Sequence, residues 1–464
     1  MEIFQQIMNA FGAAILLPII IMIFELILGV KPAKAFRSGI FIGLGLNGLV
    51  SILNPYFLDL MGEAISQMVT ENGIQLPYVD TGWALLAALA YSTTVGAIII
   101  PVGILVNVIM LALKLTDTLD LDLWNFWHWA FVGSMVLYAT NSLVLGILSA
   151  IVFEVFLLFM ADLTAPSFQK HFKLPGISFP HASGQGGVIT SILFKWVFDK
   201  IGLTKIQVNS DSIRKRFGVF GDSVVIGFLV AAIIGFIAWF RDLGSIDTWG
   251  NILALGVGTA SFIYLYPKST AALLEGFSTL NDKVRSLLTK KDAKRQLNFG
   301  MDSALTIGHP DVITVGLLVM ITTVPLIFFL PGNRFLMLAD LGVTPFFLAS
   351  AAVAVFKGNI ICSYITTVVN VVITLYFSSA MSPTFSRLAQ QIGTNLPDTG
   401  AAMVGADVRP LHGLFYYIGQ YPIVLVAVLV FTFALAFLFR RNKNKFFKFL
   451  GLEGSEENSS KYIA

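Results

Sequence analysis

Apolar runs about as long as one bilayer crossing recur from end to end of this 464-residue chain, and no other feature restricts its possible folds as much. A helix needs about 20 mostly apolar residues to cross the hydrocarbon core. Residues 11–30, 38–56, 223–240, 251–267, 312–331 and 415–439 meet that condition. In lipid the backbone must satisfy its own hydrogen bonds, which leaves helices and closed barrels. These runs lack the alternation of barrel strands, so the expected fold is an all-α polytopic membrane protein. With 56% hydrophobic and 12% charged residues, the chain carries roughly half the charge of a soluble domain.

No stretch is long enough for a separate globular unit. The expected organisation is one membrane-embedded domain over 1–448, followed by a polar cytoplasmic tail, 449–464. The first apolar run lacks a basic segment before it and is followed at once by Lys31 to Arg37, which marks a retained anchor, not a cleaved leader. A net charge of +3 spread in short clusters does not imply nucleic acid. The single cysteine, Cys362, excludes a disulfide framework and a thiolate metal cage.

Three runs exceed one crossing and carry Gly, Pro or polar residues at their centres: 82–113, 124–160 and 346–380. Each is expected to fold as two pieces, the last as a re-entrant hairpin or pair of short helices about FKGN at Phe356 to Asn359. Residues 177–198 are broken by FPHASGQGG and read as an irregular or surface-lying element. The total is nine to twelve crossings. Lys31 to Arg37, Lys195 to Arg216, Lys268 to Arg295 and Arg440 to Lys448 mark cytoplasmic faces, whereas the acidic loop 57–80 suits the outside. That places the N-terminus outside and the C-terminus in the cytoplasm. Residues 268–296 are expected along the inner surface, with Leu273, Leu274, Phe277, Leu280, Val284 and Leu287 at helical spacing. A Pro-bearing span, a short loop and a Gly-rich span occur at 16–50 and again at 316–356, a hint of an inverted repeat.

Polar groups within apolar runs are costly and usually face a cavity or a partner. Four places stand out. Tyr91, Ser92, Thr93 and Thr94 interrupt one run with hydroxyls, which either face substrate or bond back to preceding carbonyls. Asn125 and His128, in DLWNFWHWAF, share a helical face, while aromatic belts explain two of the three tryptophans beside them. His181, Ser183 and Gln185 sit on a Gly-rich backbone able to approach a ligand. His309 and Asp311, in GHPDV, either contribute to a site or cap the span they precede. Glu25 and Glu154 are candidates for proton coupling or for an interfacial position, and Lys357 and Asn359 are polar groups at a hairpin tip. GLGLNG at Gly43 to Gly48 matches a dinucleotide fingerprint but follows no strand. The five histidines show no HExxH spacing and no Walker loop is present, so no catalytic residue, metal or cofactor is expected.

At this point the chain resembles a known family: the IIC permease component of the galactitol-type sugar phosphotransferase system, in the ascorbate and galactitol group. The likeness rests on the segment Asp80 to Phe131, GISFPH, IRKRFGVFGDSVVIGF at Ile213 to Phe228, GMDSALTIGHPDV, and the PGN and FKGN turns. It implies a homodimer in a bacterial inner membrane, with a scaffold and a mobile core carrying one sugar alcohol by an elevator motion. It further implies phosphorylation by a separate IIB protein, itself charged by IIA. Neither partner is fused here. The family's ligand contacts would fall on Tyr91 and its neighbouring hydroxyls, His128, His181 and Asp311. An ion-coupled secondary transporter, with Glu25 or Glu154 in its coupling path, is the alternative. The particular sugar stays open among galactitol, other polyols and ketoses.

Overall fold

The computed structural model describes residue 15 and residues 17–53, 55, 59–71, 76–80, 82–288, 297–337, 339–392 and 403–452. The start of the first apolar run, parts of the acidic loop 57–80, Lys290 to Arg295 and the tail from 453 lie outside the described residues.

Helix dominates. The chain begins with α1 (Leu17–Ile27), α2 (Pro32–Leu53) and α3 (Asp59–Glu71). A short strand, β1 (Tyr78–Asp80), leads into α4 (Trp83–Ser92) and α5 (Thr94–Ala112). Then come β2 (Thr118–Asp120), α6 (Leu123–Thr140), α7 (Leu143–Phe172), β3 (Ile177–Ser178), α8 (Ala182–Gln185) and α9 (Val188–Ile201). α10 (Ser210–Phe217), α11 (Ser223–Ala238) and α12 (Ile246–Leu288) connect to β4 (Asn298–Gly300) and a 3-10 turn at Ser303–Thr306. The remainder is α13 (Pro310–Phe329), β5 (Phe335–Leu336), α14 (Thr344–Val355), α15 (Ile360–Ile392), β6 (Met403–Gly405), α16 (Pro410–Gly419), α17 (Pro422–Arg441) and α18 (Lys443–Leu450). Six described helices are long and apolar enough to cross a membrane: α5, α7, α13, α15, α17 and the first 35 residues of α12. α1, α11 and α14 are shorter apolar helices. Side chains such as Ile27, Leu105, Leu193, Phe236 and Phe431 are exposed, as lipid-facing residues are and as a water-soluble surface of this extent is not.

The three overlong runs break where the sequence offers caps. Between α4 and α5, Thr93 leaves the helical region and its hydroxyl accepts from the Gly96 amide at 3.0 Å. Asn141 takes a left-handed conformation after α6, and Ser142 caps α7. At FKGN, Lys357 and Gly358 both have positive φ, and Asn359 accepts from the Cys362 amide while donating to the Ile206 carbonyl. Asn359 is therefore occupied in fastening the α14–α15 turn to the loop after α9.

One expectation changes at α12. Its 43 residues run about 64 Å at helical rise, so residues 268–288 continue the spanning helix without a break. Leu273, Phe277 and Leu280 are buried. They pack lengthwise on α2, close enough that a Cβ at Gly45 would lie 2.5 Å from the Leu273 amide. For the described side chains of the stripe, Leu273, Phe277 and Leu280, a neighbouring apolar helix takes the place of a lipid surface. α2, α11 and α12 pack together on this side of the molecule, with α1 against α2 through Gly39 and the Ser38–Glu25 hydrogen bond.

The other side is built on two three-stranded parallel sheets, ordered β5-β1-β6 and β2-β4-β3. Two chain segments, 78–201 and 298–441, use the same order of elements. Each has a strand, a short turn of helix, a spanning helix, a strand, two helices, a strand and two more helices. The first strand of each segment lies between the second and third strands of the other. This exchange identifies an internal repeat, placed elsewhere than the 16–50 and 316–356 pairing expected from sequence. The strands are too short to read as strands, and the helices between them differ in length and side chains.

Candidate functional site

Each short strand runs into a helix N-terminus, where unpaired amides collect and negative charge is favoured. Aspartates occupy these junctions. Asp122 accepts from the Trp124 amide at 3.0 Å and Asp302 from the Ala304 amide at 2.8 Å. Asp80 accepts from Gly82 at 2.9 Å, and Asp340 from Trp83 at 3.1 Å. The two repeats are also stitched directly: the Asp340 amide donates to Asp80 at 2.7 Å, and the Asp302 amide to Asp122 at 2.9 Å.

At the β5-β1-β6 sheet, three buried carboxylates, Asp80, Asp340 and Asp407, surround the buried guanidinium of Arg409. Its Nη2 lies 3.4 Å from Asp407 and 3.9 Å from Asp340. Thr344 donates to Asp407 in a short hydrogen bond. At the C-terminal ends of the β2-β4-β3 strands the counterpart is polar and, among the described residues, holds no guanidinium; Arg440 pairs instead with Asp117 and Asp162 at the start of β2. Asn125 donates to Asp120 at 2.9 Å, and His181 Nε2 lies 3.2 Å from Asp302.

Between the sheets runs a line of imidazoles. His412 Nε2 meets His128 Nδ1 at 2.8 Å, and His128 Nε2 meets His181 Nε2 at 2.8 Å. The line ends where His181 Nδ1 meets Ser303 Oγ at 2.8 Å. All three rings are buried. His128 comes from α6 and His181 from the N-cap of α8, in the first repeat; Ser303 and His412 come from the second. Two contacts assign the tautomers. The Gly184 amide, which can only donate, points at His181 Nδ1 from 3.3 Å. Nδ1 therefore accepts, and the ring proton sits on Nε2 beside Asp302. A neutral imidazole has one donor and one acceptor. It follows that His128 accepts at Nε2 and donates from Nδ1 to His412 Nε2. His412 Nδ1–H is then left as a buried donor with no hydrogen-bond partner. Gly184 is required at this place, since a Cβ there would lie 2.3 Å from Ser303 Oγ.

Other buried polar atoms nearby are half used. The Gln185 amide donates to Thr164 and to the Phe179 carbonyl, which leaves its Oε1 without a partner. Asn125 Oδ1, Asp120 Oδ2 and both Glu154 carboxylate oxygens are likewise unpartnered. Leaving such groups unsatisfied costs about 1–3 kcal/mol each, so several in one region of a fold call for a polar partner, water included.

The structure thus joins some of the residues singled out in the sequence and separates others. His128, His181 and Asn125 converge, with Ser183 and Gln185 buried on the same short helix. Tyr91 and Ser92 are half-buried at the end of α4, and Ser92 donates to the Ala88 carbonyl at 2.8 Å. His309 and Asp311 lie apart from the imidazole line. His309 caps α13, and Asp311 pairs with His171 at 3.3 Å. Glu25 accepts from Ser38 at 2.7 Å between α1 and α2, away from the site. Sequence reasoning passed over His412, Ser303 and the junction aspartates. Their shared signal is an Asp just ahead of a helix start, in VDTGW, LDLW, MDSA and ADVRP.

Long apolar helices, an interleaved repeat and a buried polar centre between its halves define a multi-pass membrane transport protein. The sequence profile of the PTS sugar-specific permease component, EIIC of the GAT type, matches residues 6–400. The chain belongs to that family. It is similar to a putative permease IIC component of Escherichia coli K12, with 32% identity over 403 residues, covering 87% of this chain and 90% of the relative. A galactitol-specific EIIC component from the same strain is 31% identical over 393 residues, covering 84% and 85%. Membership makes this chain a transport subunit of the sugar phosphotransferase system, in which phosphoryl transfer takes place on separate IIA and IIB components.

Proposed function

We propose that this permease carries a galactitol-like sugar alcohol and releases it to a separate IIB protein for phosphorylation. The observation that carries this reading is the line His412, His128, His181 and Ser303, drawn from both repeats and ending in an unpartnered imidazole N–H. A polyol presents only hydroxyls, each both donor and acceptor. Neutral imidazoles and half-used amides complement it without the desolvation cost of a free charge. Asn125, His128, His181, Gln185 and His412 are assigned to direct contact, with Tyr91 and Ser183 at the margin.

In this mechanism the two-sheet body slides as an elevator against α1, α2, α11 and α12, which hold the homodimer together. The basic ends, including Arg440 to Lys448, face the cytoplasm and the IIB protein, with the N-terminus outside. Vesicles containing the protein should take up labelled galactitol and retain it as the phosphate only when IIB, IIA and a phosphoryl donor are inside. Accumulation of unmodified galactitol under a proton gradient alone would overturn the proposal. That result would favour ion coupling, for which Glu154, buried with neither oxygen hydrogen-bonded, is the motivating residue.

A further inference from the structure

We propose that His171, His309 and Asp311 form a binding site for a divalent transition metal, with Zn²⁺ the ion that suits the donors. One imidazole comes from the last turn of α7, the other from the N-cap of α13, and the carboxylate from the first turn of α13. One ligand atom from each lies within 4.8 Å of the others. His171 Nε2 is 3.3 Å from Asp311 Oδ2; His309 Nδ1, 3.9 Å from the same oxygen, accepts from the Asp311 amide at 3.3 Å and would exchange that cap contact for the ion. Zn²⁺ binds nitrogen and oxygen at about 2.0–2.2 Å in tetrahedral sites, which spaces neighbouring ligands by about 3.4 Å. Small side-chain adjustments therefore close the shell. Two imidazoles and one carboxylate are a donor set that favours zinc over the oxygen-seeking Mg²⁺ and Ca²⁺.

Three further features make this more than an ion pair. His171 Nε2 is a buried atom that lies beside the carboxylate without the alignment a hydrogen bond needs, as two ligands of a common ion do. The second carboxylate oxygen is already oriented, since Asp311 Oδ1 accepts from the Ser210 amide at 2.9 Å. Such outer contacts fix a ligand's direction and tune affinity. The floor is backbone. Gly358, at φ +82°, comes so close that a Cβ there would lie 2.6 Å from Asp311 Oδ2 and 2.8 Å from His171 Cε1. The side chains of His171 and His309 retain 15% and 27% exposure, which leaves an entry path and room for a water as fourth ligand. A bound ion would tie together α7, α13, the start of α10 and the α14–α15 turn, fastening the first repeat to the second.

The test uses purified full-length protein in detergent, equilibrated with Zn²⁺, dialysed and assayed for metal by mass spectrometry. About one ion per chain is expected, with His171→Ala and His309→Ala at background. Co²⁺ in place of Zn²⁺ should give the visible absorption of a tetrahedral site in the native protein and not in Asp311→Asn. Zn²⁺ should raise the Tm of the native protein and leave that of His309→Ala where it stands without metal. Should the variants fail to fold, diethylpyrocarbonate labelling of the native protein replaces them, with Zn²⁺ expected to protect His171 and His309. Absence of stoichiometric zinc, retention of zinc by His309→Ala, or labelling indifferent to Zn²⁺ would each overturn the proposal.

Discussion

The two sheets of the repeat share an architecture and differ in how they neutralise what collects at the C-terminal ends of their strands. At β5-β1-β6, Asp80, Asp340 and Asp407 close around Arg409, which is 1% exposed. At β2-β4-β3, Asp120, Asp122 and Asp302 meet amides, Asn125 and the imidazole of His181. A buried guanidinium is always charged and cannot be exchanged for a guest. An imidazole can reverse its donor and acceptor roles, and an amide can give up one partner for another. The first arrangement is closed on itself; the second, which we propose meets the substrate, keeps unpartnered acceptors at Asn125 Oδ1 and Asp120 Oδ2.

The sharpest way to break that comparison is Arg409→Met. Removing one partner of a buried ion pair costs about 3–5 kcal/mol, and here three carboxylates lose their guanidinium. The variant should be lost from the membrane fraction or unfold well below the native Tm in a detergent melting assay. Near-native stability would mean that the β5-β1-β6 cluster is not held by charge.

Gly184→Ala comes next, with about 1–3 kcal/mol of overpacking expected from a Cβ placed against Ser303. Because that contact supports His181, the loss should appear in both thermal stability and uptake. Ser303→Gly combined with Gly184→Ala should recover part of the stability, since both the Oγ and the Cβ of Ser303 stand in the way of the added methyl.

His128→Ala should leave the fold assembled and weaken uptake, because one lost partner in a polar site is worth about 1–3 kcal/mol. That corresponds to roughly 5- to 150-fold in apparent affinity, measured by concentration-dependent uptake with IIB present. His412→Ala should act in the same direction. An unchanged affinity in both would remove the imidazole line from the site.

The smallest effect is expected at Glu275→Gln. Arg37 and Glu275 join α2 to α12 at 2.6 Å, but their side chains are 61% and 49% exposed. Exposed pairs contribute about 0–1 kcal/mol and weaken with salt. A melting shift comparable to that of Arg409→Met would show that burial does not set the worth of charge in this protein.

Much of the fold was legible because length and hydrophobicity are local properties. The breaks at Thr93, Asn141 and Lys357–Gly358 follow from capping and turn chemistry within a few residues. His128 and His181 could be singled out because a polar group in an apolar run is conspicuous wherever it ends up. Residues 268–288 were misread because amphipathicity states that a helix has an apolar face, not what covers it. α2 covers it here, from more than 200 residues away in the chain.

By itself, the sequence determined that this chain is a helical membrane protein, where its long runs break and which permease family it belongs to. Only the tertiary structure decided which polar residues meet. His412 lies 284 positions from His128, and strands of two or three residues carry no periodicity by which to pair them. The interleaving of the repeats brings these distant groups together and separates His309 and Asp311 from them. Such proximity is set by packing between elements, a non-local property that no window of sequence contains.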